Sequence, residues 1–169
     1  MRKIQITDWV TNSKMRDLLK QISEDTGKEE LRLNMNQLSD LLEPDFKQVK
    51  DCVVIAKKSV AELEEGLPKA IKMYMDKTGY EAANTETRIN TYFDNKISME
   101  AGTKIALMIL DIWSLVLKKL EPDSQFCFIM CSDENRVEIR FHKVRDNEKR
   151  LLANDLESYK DGAVGYVLV

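Results

Sequence analysis

The segment from Ser98 to about Leu120 limits the possible folds more than any other. Its centre, Ile105 to Leu117, is apolar on most sides and is broken only by Asp111 and Ser114. A helix apolar nearly all round needs neighbours over most of its surface, so this one is expected at the centre of a packed body. It is too short and too polar to cross a bilayer, which takes about 20 apolar residues. Ser98 is a suitable N-cap, and Glu121-Pro122-Asp123-Ser124 ends the pattern.

Other helices are expected upstream. Met15, Leu18, Leu19 and Ile22 follow one helical face, with Asn12 or Ser13 as the cap and Gly27 as the stop. A shorter helix is expected from Asn36 to Leu42, ending before Pro44. Asp45 and Gln48 have capping-box spacing, and Phe46, Val49, Cys52, Val53, Ala56, Val60 and Leu63 form an apolar stripe that Gly66 would close. Pro68 suits a first helical turn, and Ala70 to Lys77 continues helically until Gly79. Tyr80 to Thr87 reads as a loop, with helix resuming over Glu86 to Asn95.

After position 124 the period changes to two. Gln125 to Cys131 reads as a buried strand and Ser132-Asp133-Glu134-Asn135 as a turn. Val137, Ile139 and Phe141 alternate with Glu138, Arg140 and His142, which completes a hairpin. Leu151, Leu152 and Leu156 suggest a strand edge and a helical turn, and Ala163 to Val169 a final strand. The expected fold is therefore α+β: an N-terminal bundle of about five helices over 1–121, then a small C-terminal antiparallel sheet over 125–169, in one domain spanning 1–169.

Composition narrows the function. Among 169 residues, 43% are apolar and 33% charged, which argues for a folded chain. With 26 basic and 29 acidic residues the net charge is −3, which disfavours direct nucleic-acid binding. No apolar run follows Arg2-Lys3, so no leader is expected. Three cysteines, Cys52, Cys127 and Cys131, make no disulfide framework and point to a reducing, cytoplasmic setting. Cys127 and Cys131 would lie about 13 Å apart along a strand, too far to bridge. All three read as small core residues.

No nucleotide-binding, nucleophile-elbow or zinc-protease motif is present. Gly102-Thr103-Lys104 lacks the first glycine of a phosphate loop and has the wrong order. The single histidine, His142, excludes any two-histidine site, and strand alternation places it on the outer face of the hairpin, partly exposed. Phe126, Phe128 and Phe141 occupy apolar strand positions and read as core, not as a stacking platform. No cofactor or metal site is expected.

One charge cluster is denser than the rest. Residues 21–45 carry Glu24, Asp25, Glu29, Glu30, Asp40, Glu43 and Asp45 against only Lys28 and Arg32. The plain reading is a solvated surface. The functional one is a patch that steers a basic partner. Glu81, Glu86 and Asp94, with Arg88 and Lys96, form a second polar stretch.

Three C-terminal segments go together: Val137-Glu-Ile-Arg-Phe-His-Lys-Val-Arg145, Leu151-Leu152-Ala-Asn-Asp155-Leu156-Glu157-Ser-Tyr159, and Ala163-Val164-Gly165-Tyr166-Val167-Leu168-Val169. This arrangement resembles small bacterial immunity proteins of polymorphic-toxin and contact-dependent growth inhibition systems. The resemblance covers residues 125–169, and Leu151 stands where a larger aromatic is expected. It implies a soluble, cytoplasmic, non-catalytic protein that neutralises a cognate toxin domain by stoichiometric binding. Such toxin domains are often basic nucleases, because their substrate is a polyanion, and the seven acids of 21–45 would supply part of the contact. No membrane partner is implied, and the oligomeric state stays open. A protein-interaction or adaptor module unrelated to toxins shares every compositional feature. An enzyme with a carboxylate-held metal would need a clustered acidic motif that the sequence lacks.

Overall fold

The structure is a computed structural model that describes residues 4–25 and 28–169. After a short 3-10 turn (Ile6–Asp8), the chain forms β1 (Val10–Thr11), α1 (Ser13–Glu24), α2 (Met35–Leu42), β2 (Phe46–Val49), β3 (Cys52–Ile55), α3 (Val60–Met73) and α4 (Lys77–Asn84). It continues through β4 (Thr87–Arg88), a 3-10 turn (Ile89–Tyr92), α5 (Met99–Leu120), β5 (Phe126–Asp133), β6 (Arg136–Lys143), a 3-10 turn (Leu156–Ser158) and β7 (Ala163–Leu168). The Gly27 stop expected for α1 lies outside the described residues.

Helices and strands are interspersed, which corrects the expected order of a helical bundle followed by a small C-terminal sheet. The main sheet has five antiparallel strands in the order β1-β7-β5-β6-β4, and two of them come from the N-terminal two-thirds. A second, two-stranded sheet pairs β2 with β3. The expected helix over 45–66 is thus a hairpin followed by α3. Lys50 adopts a left-handed conformation, φ 54°, and turns the chain at Lys50–Asp51. The real capping box belongs to α3, where the Ser59 and Glu62 side chains each bond the other's backbone N–H. α3 runs on through Gly66 and Pro68. Pro68 is exposed, so the bond it removes falls on the solvent side. The stretch 80–87, expected as loop, is mostly α4, and 86–95 holds β4 and a 3-10 turn in place of a helix.

α5 lies across one face of the main sheet. Gly102 permits the close approach, because a Cβ there would sit 2.8 Å from Val137 Cγ2. Ala106, Ile109, Leu110, Trp113 and Leu117 point into a core shared with Phe126, Phe128, Met130, Val137, Ile139 and Phe141, and with Met15, Leu18, Leu19 and Ile22 of α1. Phe141 is the centre of its aromatic group, with Phe46, Trp113, Phe126 and Phe128 at centroid distances of 5.8, 6.2, 5.8 and 5.7 Å. Trp113 Nε1–H donates to the Leu41 carbonyl at 3.0 Å, which ties α2 to α5.

The β2–β3 hairpin serves two cores. Phe46 and Val53 face the main one, whereas Val49, Cys52 and Val54 pack with Leu67 and Tyr80 beneath α3 and α4. Side chains complete the outer side of β6 beyond β4. Asn90 Oδ1 accepts from Val137 N–H at 2.7 Å, Thr85 Oγ1 donates to the Phe141 carbonyl and accepts from its N–H, and Glu81 Oε2 accepts from Lys143 N–H.

His142 corrects its expectation too. It is 1% exposed, not on an open face. α4 packs against β6, and the β6–β7 connection crosses the same side of the sheet, where Arg150 stacks over Tyr166 at 5.1 Å.

Candidate docking groove

A concavity lies at one end of the main sheet, between α1 and the β5–β6 turn. It holds about 860 Å³ and is lined by Lys14, Asp17, Leu18 and Gln21 of α1, Met99 of α5, Ser132 to Arg136, and Asp161 to Ala163. Asp17 and Gln21 also line a hollow of about 460 Å³ that continues along α1 past Lys20 to Glu24 and Asp25. Six carboxylates (Asp17, Glu24, Asp25, Asp133, Glu134 and Asp161) and three cations (Lys14, Lys20 and Arg136) therefore border one continuous strip. Asp25 pairs with Lys104 at 2.7 Å, and Asp133 with Arg136 at 3.7 Å. Asp17, Glu24, Glu134 and Asp161 form no ion pair among the described residues, and all four are exposed.

Asn12 holds the groove's rim in place. It is 1% exposed and uses its whole hydrogen-bonding capacity. Its Oδ1 accepts from Met15 N–H at 2.9 Å, capping α1, and from Val164 N–H at 3.0 Å. Its Nδ2 donates to the Gly162 carbonyl at 2.9 Å and the Tyr159 carbonyl at 3.3 Å. Ser13 adds two bonds to the Glu157 carboxylate, and Lys14 Nζ donates to the Lys160 carbonyl at 2.6 Å. The start of α1 and the segment leading into β7 are thus clamped together before any partner arrives, which lowers the ordering cost of association.

The seven acids of 21–45 are all exposed, but the fold does not gather them. Glu24 and Asp25 reach the strip. Glu29 lies at a neighbouring hollow and caps α5, accepting from Ser98 N–H at 2.8 Å and Ser98 Oγ–H at 2.5 Å. Glu30 pairs with Arg32, and Asp45 with Lys47. Asp40 sits on α2 and Glu43 at its C-cap. The strip draws its other acids from places the sequence reading passed over. Asp133 and Glu134 read as turn chemistry, and Asp17 and Asp161 stand in other segments. No window of sequence contains them together, so charge density along the chain could not have found them.

A second charged assembly is fully committed to the fold. Glu81 is 0% exposed, and its carboxylate accepts four hydrogen bonds: from Val53 N–H and Arg145 Nη2 on Oε1, and from Lys143 N–H and Arg145 Nη1 on Oε2. Burial would raise the Asp51 carboxyl, but hydrogen bonds from Lys77, Lys143 and Arg145 outweigh it and hold that group far below the ordinary carboxylate range. Glu86 joins Arg88 and Arg140, and Arg140 also pairs with Glu138. Burial pushes the Cys52 and Cys127 thiols up to about 12, and it lowers His142. Among the described residues no group of three or more His, Cys, Asp or Glu side chains could hold a metal ion, and no helix is long and apolar enough to cross a membrane.

The family model described as Uncharacterized protein PM0498 family matches residues 10–167. The chain belongs to this family. The matched span takes in every residue of the PM0498-family strip, from Lys14 to Ala163, and Asn12 behind it. No curated protein and no solved structure matches the chain.

Proposed function

We propose that the chain is a non-catalytic inhibitor of the immunity-protein type, which binds a basic toxin domain through the acidic strip along α1. A nuclease is the toxin class that suits the strip best, because a cleft built for a polyanion would also accept a row of carboxylates. The observation that carries the reading is the strip itself: four exposed carboxylates without ion pairs among the described residues, on a rim that Asn12 ties together. The resemblance of residues 125–169 to immunity proteins supports it. Charge complementarity of this kind raises the association rate and selects among partners more than it adds affinity.

The test is co-expression with a toxic domain encoded beside the chain, followed by co-purification. Survival with a one-to-one complex is expected. In that complex, Asp17→Lys with Asp161→Lys should slow association, most of all at low salt. Death of cells that contain soluble chain, with no complex formed, would overturn the pairing. A complex without protection would favour the adaptor reading.

A further inference from the structure

The face of the main sheet opposite α5 holds the chain's one histidine. Strand pairing sets His142 directly across from Cys127, so both side chains lie on that face, and each is 1% exposed. His142 Nδ1 lies 3.0 Å from the Lys143 carbonyl oxygen. A carbonyl only accepts, so Nδ1 carries the proton and Nε2 is left as a bare lone pair. Nε2 is buried and has no hydrogen-bond partner among the described residues. The next proton must enter there, and it would create a charged donor without an acceptor.

The groups around the ring are not free to meet that charge. Asp76, at the cap of α4, accepts from Gly79 N–H at 2.7 Å. Glu81 of α4 already accepts four bonds. Arg145, where the chain leaves β6, repels a second positive charge, and Cys127 on β5 is a neutral thiol.

The cover over this face is thin. Within residues 146–156 of the β6–β7 connection only Leu156 is buried, and Glu148 and Leu152 are half-buried. Glu148 accepts from Thr78 N–H and Oγ1–H at 2.8 Å each, and Ala153 N–H donates to the Tyr159 hydroxyl. Arg150 stacks over Tyr166, which the register places on the same face as Cys127 and Ile129. A segment with so few buried apolar groups opens at far lower cost than the core.

We propose that residues 146–156 are an acid-released strap: a proton on His142 Nε2 is accommodated by lifting the strap from the sheet, which admits water to the ring and uncovers Cys127, while the core beneath α5 stays closed. The inference goes beyond the proposed partner and does not depend on it.

The test is thiol labelling of the full chain between about pH 7.5 and 5.5, with a pyridyl disulfide that reacts in acid and peptide mapping of the label. Each rate is divided by that of the urea-unfolded chain at the same pH. Carboxylates at ordinary values stay ionised over this range and the chain has no other histidine, so His142 is the group that titrates. At neutral pH Cys127 stays closed. Its labelling should rise about tenfold per pH unit below about 6.5, the slope of one proton taken up on opening. Cys52, beneath α3 and α4, should not follow. Glu148→Ala, which unfastens the strap from Thr78, should raise Cys127 labelling at every pH and keep the slope. His142→Gln should abolish the slope, and the wild-type ratio of Cys127 to Cys52 decides the matter even if that variant does not fold. Equal rises at Cys52 and Cys127, a flat Cys127 rate in wild type, or an unchanged slope in folded His142→Gln would overturn the proposal.

Discussion

Arg145 grips Glu81 as a fork, Nη1 at 2.8 Å from Oε2 and Nη2 at 3.0 Å from Oε1, and the carboxylate beneath it is closed to solvent. The same carboxylate receives N–H groups from β3 and β6, so one side chain joins the two sheets. Removing either partner leaves a buried charge uncompensated, a loss of about 3–5 kcal/mol. Arg145→Met and Glu81→Leu should each lower the urea midpoint sharply, and the double variant should be less destabilised than the two losses added together. Additive losses would show that the pair acts as two separate contacts.

Asn12→Ala removes a helix cap and three further bonds. Leaving the Val164 N–H and the Gly162 carbonyl without their partner adds to the cost of the lost cap, and about 2–3 kcal/mol is expected by chemical unfolding. Amide exchange should then rise at Met15 and Val164 well before it rises in β5. Uniform acceleration across the sheet would contradict the local role given to Asn12.

His142 should make the protein acid-sensitive. Burial lowers its pKa, and its Nε2 has no hydrogen-bond partner among the described residues. The folded chain therefore binds this proton less readily than the unfolded chain, whose ordinary value is about 6.5. Its contribution is fully present above that value and is lost as pH falls from about 6.5 toward the folded value. Asp76, Glu81 and Arg145 lie near enough to modulate the loss. Unfolding curves taken on either side of pH 6.5 should show a fall that is flattened in His142→Gln. An equal fall in both proteins would assign the acid sensitivity to other groups.

Thiol chemistry should separate the three cysteines. Cys52 and Cys127 are buried and pushed up to about 12, while Cys131 is only partly covered. The thiolate is the reactive form. In native protein a thiol-specific reagent should titrate Cys131 first and slowly, and the other two only after unfolding. Three fast equivalents in the native state would contradict the packing of both cores.

Where one local signal decided an element, the sequence was legible. α5 starts at its Ser98 cap, α1 at its Asn12 cap, and β5 and β6 pair as a hairpin across the turn that follows Ser132. The β2–β3 hairpin was hidden because both of its faces are covered. Its apolar residues lack polar alternation, and Phe46, Val49, Cys52, Val53 and Ala56 happen to fit a helical stripe. The turn gave no warning either, since a lysine and not a glycine takes the left-handed position. His142 was misplaced for a related reason, because alternation assigns a face but does not say whether something lies over it. The acidic strip was the least legible feature, since Asp17, Asp133 and Asp161 meet only through tertiary contact.

The side chains of Asn90, Thr85 and Glu81 along β6 bear on how this molecule can recognise anything. A bare strand at the margin of a sheet offers its main chain to any extended peptide, the route by which many modules bind ligands and by which many proteins aggregate. On β6 the N–H groups of Val137, Phe141 and Lys143 are already engaged by those three residues. A ligand cannot add itself there as another strand. On that side recognition is restricted to side-chain surfaces, which read charge and shape and not the backbone common to every polypeptide.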